Sequence, residues 1–445
     1  MVIKIKIEKS QEKQFIKIPF DVPENVEGIR IKYSYYGDSV NSLPKDFEKN
    51  VIDIALLRPD GTEAGATGSN KKDIYLSESY STPGYAKQEI TAGKWTIICG
   101  AYLIRSEGVE VAYTIEFTYK HYRWLKGDLH THSVYSDGKF TVPELGEKAI
   151  KNGFDYFALT DHNNFFHNKH LPDIRDLTII PGVEFTHYKG HMNILGLETP
   201  YTGSYAVNTK DEFLALYKEA YDRGALICLN HPLCSLCPWK WDFDFKYHAV
   251  EVWNGPMRKD NLRAVSWWHN LLKDGHRVTA VGGSDFHFEF PPLINLFARP
   301  TTYVYAKSNS PEDILAAIKE GRAVIVKNPK SPFIEMTSGN AVIGDSVKLK
   351  KDTTVKITVN KLKRGYKLLV YDDDGVIDEV KGKSGRVELD VSVRKKGFVR
   401  AEIKYHPKLI ERLIYRLVML FMLRSQAFDK VPDFISALTN PIYFE

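Results

Sequence analysis

The spacing of apolar and polar residues predicts different structures for the beginning, middle and end of the chain. Up to about residue 122, apolar and polar residues alternate in stretches such as Ile3–Ile7 and Val111–Tyr119, and turn residues such as Pro83-Gly84 separate these stretches. A period of two places successive side chains on opposite faces of a strand. We therefore expect an all-β region over residues 1–122, folded as a β-sandwich.

Between residues 123 and 330, short apolar runs of strand type alternate with longer helical stretches. The strand candidates are Tyr156–Thr160, Thr178–Val183, Met192–Leu197, Ala225–Asn230, Ala249–Trp253 and Val278–Gly282. The helix candidates are Val142–Asn152, Lys210–Arg223, Asn261–Asp274 and Pro311–Glu320. Strands that alternate with helices are typical of parallel sheets, so we expect an α/β layer or barrel over residues 123–330.

The last part of the chain, residues 331–445, returns to strands and adds one apolar helix. The strand candidates are Thr354–Val359, Lys367–Tyr371 and Val387–Val391. The helix is predicted over Lys408–Arg424. It either packs on the barrel or the sandwich, or forms a dimer or lies on a membrane surface, where Arg412, Arg416 and Arg424 would meet acidic lipid. A homo-oligomer is therefore one of the open alternatives.

Composition narrows the class of protein. The 445 residues are 43% hydrophobic and 26% charged, and the net charge is +5. This composition excludes a disordered chain, and the scattered Lys and Arg residues do not form the basic patch of a nucleic-acid-binding protein. The N-terminus lacks the apolar run of a signal peptide, and no apolar run reaches the roughly 20 residues of a membrane span. We expect a cytoplasmic protein without a transmembrane segment.

Four cysteines in a chain of 445 residues do not form a disulfide framework. Cys234 and Cys237 form one C-x-x-C motif, but Cys99 and Cys228 do not form the second pair that a structural zinc site would need. We expect this C-x-x-C pair to be incidental. A redox-active or stabilising disulfide is the alternative.

Imidazoles and carboxylates gather in the middle of the chain, directly after several predicted strands. Most of the 14 histidines lie there. The side chains at these strand ends are His130, His132, Asp161, His162, Glu184, His231, Asp285 and His287. The carboxyl ends of parallel strands meet on one face of a barrel, and the two imidazoles of an H-x-H motif point the same way. The pattern therefore predicts a metal centre.

Eight motifs follow one another through this region. They are G-D-L-H-T-H-S (127–133), S-D-G (136–138), T-D-H-N (160–163), G-V-E (182–184), G-H-x-N-x-L-G (190–196), N-H-P (230–232), V-E-V-W-N-G (250–255) and G-G-S-D-F-H (282–287). In this order they resemble the PHP metallophosphoesterase family. The flanking β regions, the S-D-G motif and the terminal A-L-T-N-P-I-Y (437–443) resemble its branch of carbaryl hydrolases, the CehA/McbA-like proteins. The resemblance implies a distorted (β/α)7 barrel that holds two or three divalent metals (zinc, manganese or iron).

Carried over to this chain, the resemblance implies three groups of metal ligands. The first metal would be bound by His130, His132, Glu184 and Asp285, the second by His191 and His231 with Glu184 as a bridge, and the third by Asp137, His162 and His287. Many family members have a histidine where this chain has Asp137. An oxygen ligand there would weaken the third site, or favour manganese or iron over zinc.

Residues beside these ligands are candidates for catalysis and support. The resemblance implies a metal-bridged hydroxide as the nucleophile. The catalytic candidates are Asp161, His287 and Asn254. Asp161 and Asp128 would orient ligand imidazoles, whereas Asn254 would contact the substrate or cap the next loop.

Further residues have two interpretations each. Arg258 and Arg299 would clamp a phosphate or form surface salt bridges, and Tyr135 and Trp253 would line the pocket or pack in the core. His187 competes with His191 as a metal ligand, and the G-H-x-N context favours His191.

These observations predict a metal-dependent hydrolase with a small-molecule ester as its substrate. The first choice is a phosphoesterase acting on a phosphomonoester or a small nucleotide diester, with no nucleic-acid polymer as partner. A carbamate or carboxylic-ester hydrolase is the alternative that the branch resemblance favours. A metal-binding module without catalytic activity is the alternative of another class.

Overall fold

The computed structural model describes residues 1–36, 49–289, 296–422 and 431–445, and it divides the chain into two compact units. The first unit comprises Met1–His121 and Asp173–Asp176. The second unit comprises Tyr122–Pro172 and Leu177–Glu445. Residues 331–445 therefore lie in the same compact unit as the middle of the chain.

The first unit consists of two antiparallel four-stranded sheets around one apolar core. Its strands are β1 (Val2–Ile7), β2 (Phe15–Val22), β3 (Val26–Tyr35), β4 (Val51–Leu57), β5 (Glu63–Thr67), β6 (Asp73–Ser77), β7 (Gly93–Leu103) and β8 (Val109–Tyr119). The strand orders are β1-β8-β3-β6 and β2-β7-β4-β5. Ile31 and Tyr113 from the first sheet share the core with Ile54 and Trp95 from the second. The period-two pattern thus correctly predicts strands in this region.

The second unit is built on a large mixed sheet. Its strands are β9 (Arg123–Thr131), β10 (Tyr156–Leu159), β11 (Thr178–His187), β12 (Gly190–Leu195), β13 (Leu226–Asn230), β14 (Ala249–Asn254), β15 (Thr279–Gly283), β16 (Thr301–Ala306), β17 (Ala323–Val326), β18 (Ile334–Ser338), β19 (Ala341–Val342), β20 (Ser346–Val347), β21 (Thr354–Leu362), β22 (Tyr366–Asp372), β23 (Gly375–Lys381), β24 (Gly385–Ser392), β25 (Gly397–Tyr405), β26 (Phe434–Thr439) and β27 (Ile442–Phe444). The sheet runs β15-β14-β13-β12-β11-β10-β9-β16-β17-β26-β25-β22-β23, with β20 and β27 attached, and β19-β18-β21-β24 form a separate sheet.

Strand directions differ from the all-parallel sheet that the sequence predicts. Parallel pairs join β9 to β10, β10 to β11, β13 to β14 and β14 to β15. In contrast, β12 runs antiparallel to both β11 and β13, and β16 runs antiparallel to β9. Only Tyr188 and Lys189 connect β11 to β12, and a two-residue connection can join antiparallel strands but not parallel ones.

Five α-helices belong to this unit among the described residues. They are α1 (Val142–Lys151), α2 (Lys210–Asp222), α3 (Lys259–Lys273), α4 (Pro311–Lys319) and α5 (Leu409–Met422). Thr141 and Thr209 begin α1 and α2 with capping boxes, in which each hydroxyl accepts the backbone N–H three residues later. The sequence predicted α1 to α4 within two residues at each end. No helix in the described ranges is long and apolar enough to cross a membrane.

Helix α5 exposes apolar side chains. Leu409, Ile410, Leu413 and Leu417 are each about half exposed or more. Glu411 on the same helix accepts a hydrogen bond of 2.6 Å from the Tyr405 hydroxyl, which anchors the first turn of the helix to β25. The predicted end of this helix, residues 423–424, lies outside the described residues.

The C-terminal strands extend the same sheet as the middle region. β26 pairs with β17 on one side and with β25 on the other. Asn440, which follows β26, exchanges two 2.8 Å hydrogen bonds with the backbone of Ala280 and donates a third, of 2.9 Å, to the carbonyl of Ala323. One amide side chain therefore joins the end of the chain to β15 and β17.

Candidate metal centre

The strand ends of the second unit bring the predicted ligands together. His130 and His132 lie at the end of β9 and are almost fully buried. Glu184 lies within β11 and is also fully buried. Asp285 follows β15 in sequence, and it lies beside the end of β9 because its backbone N–H donates to the carbonyl of His130 at 3.0 Å.

Glu184 lies at the centre of five imidazoles. Its carboxylate oxygens lie 2.8 to 3.6 Å from ring nitrogens of His130, His132, His162, His191 and His231. Asn230 also donates to Glu184 Oε1 at 2.8 Å. A carboxylate that faces several ring nitrogens can bridge two metal ions, which agrees with the bridging role that the family resemblance implies.

The orientation of the buried ligand atoms fits a metal ion. His130 Nε2 lies 3.4 Å from both Glu184 Oε1 and Asp285 Oδ1, and His132 Nε2 lies 3.1 Å from Asp285 Oδ1. Both ring nitrogens are buried, and neither has a hydrogen-bond partner in the described part of the chain. Buried polar atoms normally have partners. Lone pairs that converge on a common point instead of on a donor are the arrangement that a cation requires.

The charges in this cluster depend on one another. Burial opposes ionisation of Glu184, yet His130 and the neighbouring imidazoles hold the pKa of its carboxyl well below the usual range. Burial likewise opposes charge on Asp285, and His130 and His132 hold its pKa well below the usual range. Both carboxylates, that of Glu184 fully buried and that of Asp285 26% exposed, are thus ionised because positive charge faces them, and divalent cations would provide that charge.

A second group of ligand atoms lies at the more exposed edge of the cluster. Ligand atoms of His132, Asp137, His162 and His287 all lie within 4.8 Å of one another. Asp137 Oδ1 is 3.2 Å from His287 Nε2 and 3.6 Å from His162 Nε2, and its side chain is 61% exposed. The third group of ligands that the resemblance implies is therefore assembled, and solvent reaches it through Asp137.

Glu251 is a buried carboxylate that the sequence analysis did not select. It lies in β14, where His130 Nδ1 donates to its Oε1 at 3.1 Å and the backbone N–H of His231 donates to its Oε2 at 3.1 Å. Gly283 allows this approach, because a Cβ at that position would collide with both Glu251 and His130. An acidic residue in the middle of an otherwise apolar buried strand was the available signal.

Asn254 connects Glu251 to Asp285. Its side-chain amide donates to Glu251 Oε2 at 3.0 Å and to Asp285 Oδ2 at 3.2 Å, and its carbonyl oxygen accepts from Arg258. Asn254 and Arg258 are both buried. Asn254 therefore contacts two carboxylates at once, and Arg258 has no salt-bridge partner within the described ranges.

Asp161 and Asp128 lie apart from the ligand imidazoles that they were predicted to orient. Asp161 accepts hydrogen bonds from the hydroxyls of Ser133 and Ser136 at 2.7 and 2.6 Å, and it lies 3.3 Å from His167 Nε2. Asp128 accepts from the backbone N–H groups of His130 and Ser284. Both carboxylates thus fix loops beside the ligands, and Glu251 contacts the imidazole instead.

The structure distinguishes between His191 and His187. His191 Nδ1 lies 3.1 Å from Glu184 Oε1, whereas His187 Nε2 lies 3.0 Å from the carbonyl of Val207 and its ring packs on Trp241. The two histidines lie at opposite ends of the β11–β12 turn, and His191 is the one that joins the cluster.

The predicted pocket aromatics differ in exposure. Tyr135 is half exposed and stacks on His167, with ring centroids 4.7 Å apart. Trp253 is buried, and its indole N–H donates to the carbonyl of Gly255 at 3.1 Å. Trp253 is therefore a core residue. Burial lowers the pKa of the Arg299 guanidinium, and the charges of Tyr405 and Glu411 act in the opposite direction.

Cys237 also approaches the cluster, contrary to the expectation that the C-x-x-C pair is incidental. Its Sγ lies 3.6 Å from His231 Nδ1, and ligand atoms of His191, His231 and Cys237 lie within 4.8 Å of one another. All four cysteines are free thiols. Sequence spacing alone could not reveal this contact, because it depends on how the loop after β13 folds.

Comparison with known proteins agrees with this geometry. Residues 128–251 match the family model of the PHP domain. A stretch of 63 residues is 43% identical to the DNA polymerase/3'-5' exonuclease PolX of Bacillus subtilis, and this stretch covers 14% of the chain and 11% of that protein.

Two solved structures show weaker similarity. One is a two-domain protein of Bacteroides vulgatus that contains a predicted PHP-like metal-dependent phosphoesterase; it is 22% identical, with 63% of this chain and 90% of that chain covered and a TM-score of 0.38. The other, described as a metal-dependent phosphoesterase of Bifidobacterium adolescentis, is 16% identical, with 43% and 95% covered and a TM-score of 0.28. Because both TM-scores are low, the assignment depends on the match of residues 128–251 to the family model. Residues 128–251, which carry most of the clustered ligands, are therefore similar to the PHP domain.

Proposed function

We propose that this protein is a metal-dependent phosphoesterase that hydrolyses a phosphomonoester or a small nucleotide diester. The observation that carries the proposal is the buried carboxylate of Glu184 among five imidazoles, within the region that is similar to the PHP domain. Such a cluster has no evident role in packing, because burying so many ionisable groups without a cation is costly.

The proposed ligands form three groups around Glu184. They are His130, His132, Glu184 and Asp285 for one metal, Glu184, His191 and His231 for another, and Asp137, His162 and His287 for a third. Divalent metals in these positions lower the pKa of water and neutralise negative charge that develops on the substrate. Zinc, manganese and iron are the candidate metals.

Hydrogen bonds set which ring nitrogen faces the proposed metals in two of the imidazoles, His130 and His287. The carboxylate of Glu251 accepts a hydrogen bond from His130 Nδ1. The proton of the neutral ring is therefore on Nδ1, and the free lone pair is on Nε2. His287 Nδ1 lies 2.8 Å from the backbone carbonyl of Asp285 and must donate to it, which again leaves the lone pair on Nε2 towards Asp137. These contacts supply the tautomers that metal ligation needs.

Arg258 supports an anionic substrate. Its guanidinium is buried, donates to Asn254, and has no hydrogen-bond partner at Nε among the described residues. Asn254 in turn donates to Asp285, so the cation lies one residue away from the ligand cluster. A guanidinium with an unused donor suits a phosphate group. This feature favours a phosphoester over the alternative, a carbamate or a carboxylic ester.

The proposal includes the architecture around the site. We assign the strands from β9 to β15 and β16 to a distorted (β/α)7 PHP barrel, and the two sheets of the first unit to a β-sandwich. The backbone bonds between the segment after β15 and the end of β9 support a nearly closed barrel, since His132 N–H donates to the carbonyl of Phe286 at 3.0 Å. The shared core of the two N-terminal sheets supports a sandwich.

The proposal is tested by metal content and hydrolysis together. Wild type, His130→Ala and the control His276→Ala, an exposed histidine outside the cluster, are analysed by elemental mass spectrometry and assayed on p-nitrophenyl phosphate and an aryl carbamate. We expect two or three metal equivalents and phosphatase activity in wild type and His276→Ala, with both lost in His130→Ala.

Other results point to the alternatives. A metal-loaded protein that hydrolyses only the carbamate would identify the carbaryl-hydrolase type of activity. A metal-loaded protein inactive on both esters would indicate the non-catalytic metal-binding module. Less than one metal equivalent after reconstitution with manganese, iron or zinc would refute the metal centre itself.

A further inference from the structure

The loop after β13 folds back over the ligand that begins it. Within it, the backbone N–H of Cys234 donates to the carbonyl of His231 at 2.8 Å, and that of Trp239 donates to the carbonyl of Pro232 at 2.9 Å. Asp260 on α3 fixes the middle of the loop by accepting from the Ser235 N–H at 2.7 Å. This compact turn directs residue 237 towards the imidazole six positions earlier.

As a result, the thiol of Cys237, which is partly buried, lies beside the proposed metal ligands. Its Sγ is 3.6 Å from His231 Nδ1 and lies within 4.8 Å of a ring nitrogen of His191. Glu184 contacts His191 Nδ1 at 3.1 Å, and it contacts His231 at 3.6 Å through Nε2, the ring nitrogen that does not face the thiol. Ligand atoms of His191, His231 and Cys237 thus form one group, beside the Glu184 carboxylate.

We propose that Cys237 is a thiolate ligand of a metal that His191 and His231 also bind, an inference that rests on the proposed metal-dependent hydrolase. On binding, the thiol gives its proton to solvent and its sulfur lone pair to the divalent ion, so charge balances without an oxidant. Two imidazole nitrogens and one sulfur, with water in a fourth position, make a ligand set of the kind that zinc takes.

If Cys237 is a ligand, the two ends of the metal centre, at Cys237 and at Asp137, prefer different metal ions. Sulfur is a soft ligand, which suits zinc or ferrous iron, whereas the exposed Asp137 at the other end offers a hard oxygen, which suits manganese. We therefore infer a centre that selects different metals at its two ends. Cys237→Asp should shift the metal preference of the site beside His191 and His231 towards manganese.

Cys234 provides a control within the same loop. Its Sγ lies 3.4 Å from that of Cys237, but it is not among the ligand atoms of His191, His231 and Cys237 that lie within 4.8 Å of one another. A disulfide between the two would need both cysteines and an oxidant, whereas metal ligation needs only Cys237. The variants Cys234→Ser and Cys237→Ser therefore separate the two interpretations.

Cobalt is the probe, because a thiolate bound to Co²⁺ gives a near-ultraviolet charge-transfer band. Full-length metal-free protein is titrated with Co²⁺ under reducing conditions, with bound cobalt measured by elemental analysis. We expect the band in wild type, Cys234→Ser and Cys99→Ser, and its loss in Cys237→Ser together with roughly tenfold or more weaker zinc binding. A band unchanged in Cys237→Ser, or lost equally in Cys234→Ser, would overturn the assignment.

A second measurement uses the wild type alone, so it does not depend on how the variants fold. Zinc should slow the alkylation of Cys237 by iodoacetamide, which is measured by peptide mass spectrometry. In denatured protein, zinc should leave the rate of this alkylation unchanged. Equal alkylation with and without bound zinc would overturn the inference and leave the hydrolase proposal intact. Failure to bind either cobalt or zinc would overturn both.

Discussion

The His130 imidazole donates from Nδ1 to Glu251 Oε1 across 3.1 Å, while its Nε2 faces Glu184 and Asp285 at 3.4 Å. This bond fixes both the tautomer and the orientation of the ring. Gly283 lies against the same pair, where any side chain would separate them. The position of His130 thus depends on a residue more than a hundred positions away in sequence.

Substituting Glu251 tests this dependence. Glu251→Gln keeps the shape of the side chain but can donate to His130 Nδ1, which would favour the wrong tautomer. We expect about 10- to 100-fold weaker metal binding, the usual effect of losing such a supporting contact. Metal titration followed by elemental analysis measures it, and Glu335→Gln, an exposed strand carboxylate, serves as the matched control. Unchanged affinity in Glu251→Gln would mean that the ring is positioned by other contacts.

The pair His191 and His187 offers a matched comparison across one turn. We expect His191→Ala to lose at least one metal equivalent, because His191 contacts Glu184 directly. His187→Ala should retain full metal content and lose only the contact with Val207 and the packing on Trp241. Elemental mass spectrometry on both variants checks this. Equal metal loss in the two would show that the turn as a whole, and not one imidazole, is required.

Asp161 is expected to act on stability rather than on metal binding. Asp161→Asn would remove the charge from the hydrogen bonds with Ser133 and Ser136 and would leave the buried Ser133 hydroxyl without its acceptor. The free energy of unfolding should fall by about 1–3 kcal/mol, with metal content retained. Denaturant melts and elemental analysis test this. Metal loss at unchanged stability would instead support the orienting role that the sequence suggested.

His248 should make the protein less stable in acid. Burial lowers the pKa of its imidazole to about 4, and its Nδ1 accepts a 3.0 Å hydrogen bond from the Ile227 N–H, which requires the neutral ring. In the unfolded chain the pKa is about 6.5. As the pH falls from about 6.5 to about 4, the unfolded state gains a proton that the folded state does not, so stability decreases over this interval.

His248→Gln removes this titration. Melting temperatures of wild type and variant are compared at pH 7.5 and pH 4.5 in metal-free buffer. We expect a smaller decrease between the two pH values in the variant, because the glutamine cannot be protonated. The same decrease in both proteins would assign the acid sensitivity to other groups.

The sequence predicts the site best where potential ligand residues directly follow the end of a strand. His130 and His132 follow an apolar run that becomes β9, and Asp285 follows the run that becomes β15, so strand ends and ligands could be found together. The capping boxes of α1 and α2 likewise mark helix starts from local residues alone. Local periodicity was sufficient for these elements.

Contacts between distant segments could not be predicted in this way. Glu251 reads as one acidic residue in an apolar strand, and only the pairing of β14 with β15 places it beside His130. Cys237 depends on the fold of its loop. The partners of Asp161 could not be predicted either, because its carboxylate accepts from the backbone N–H and the hydroxyl of Ser133, which lies on another segment of the chain.

The two-residue turn between β11 and β12 has a consequence for how such chains can vary. The turn sets Thr186 opposite His191, so Glu184 and His191 point to the same face. One residue inserted at Tyr188 or Lys189 would rotate His191 to the opposite face of the strand. Lengthening the connection over residues 196–209 would leave the spacing of both ligands unchanged. Insertions and deletions should therefore be tolerated between β12 and α2 but eliminated by selection in the turn.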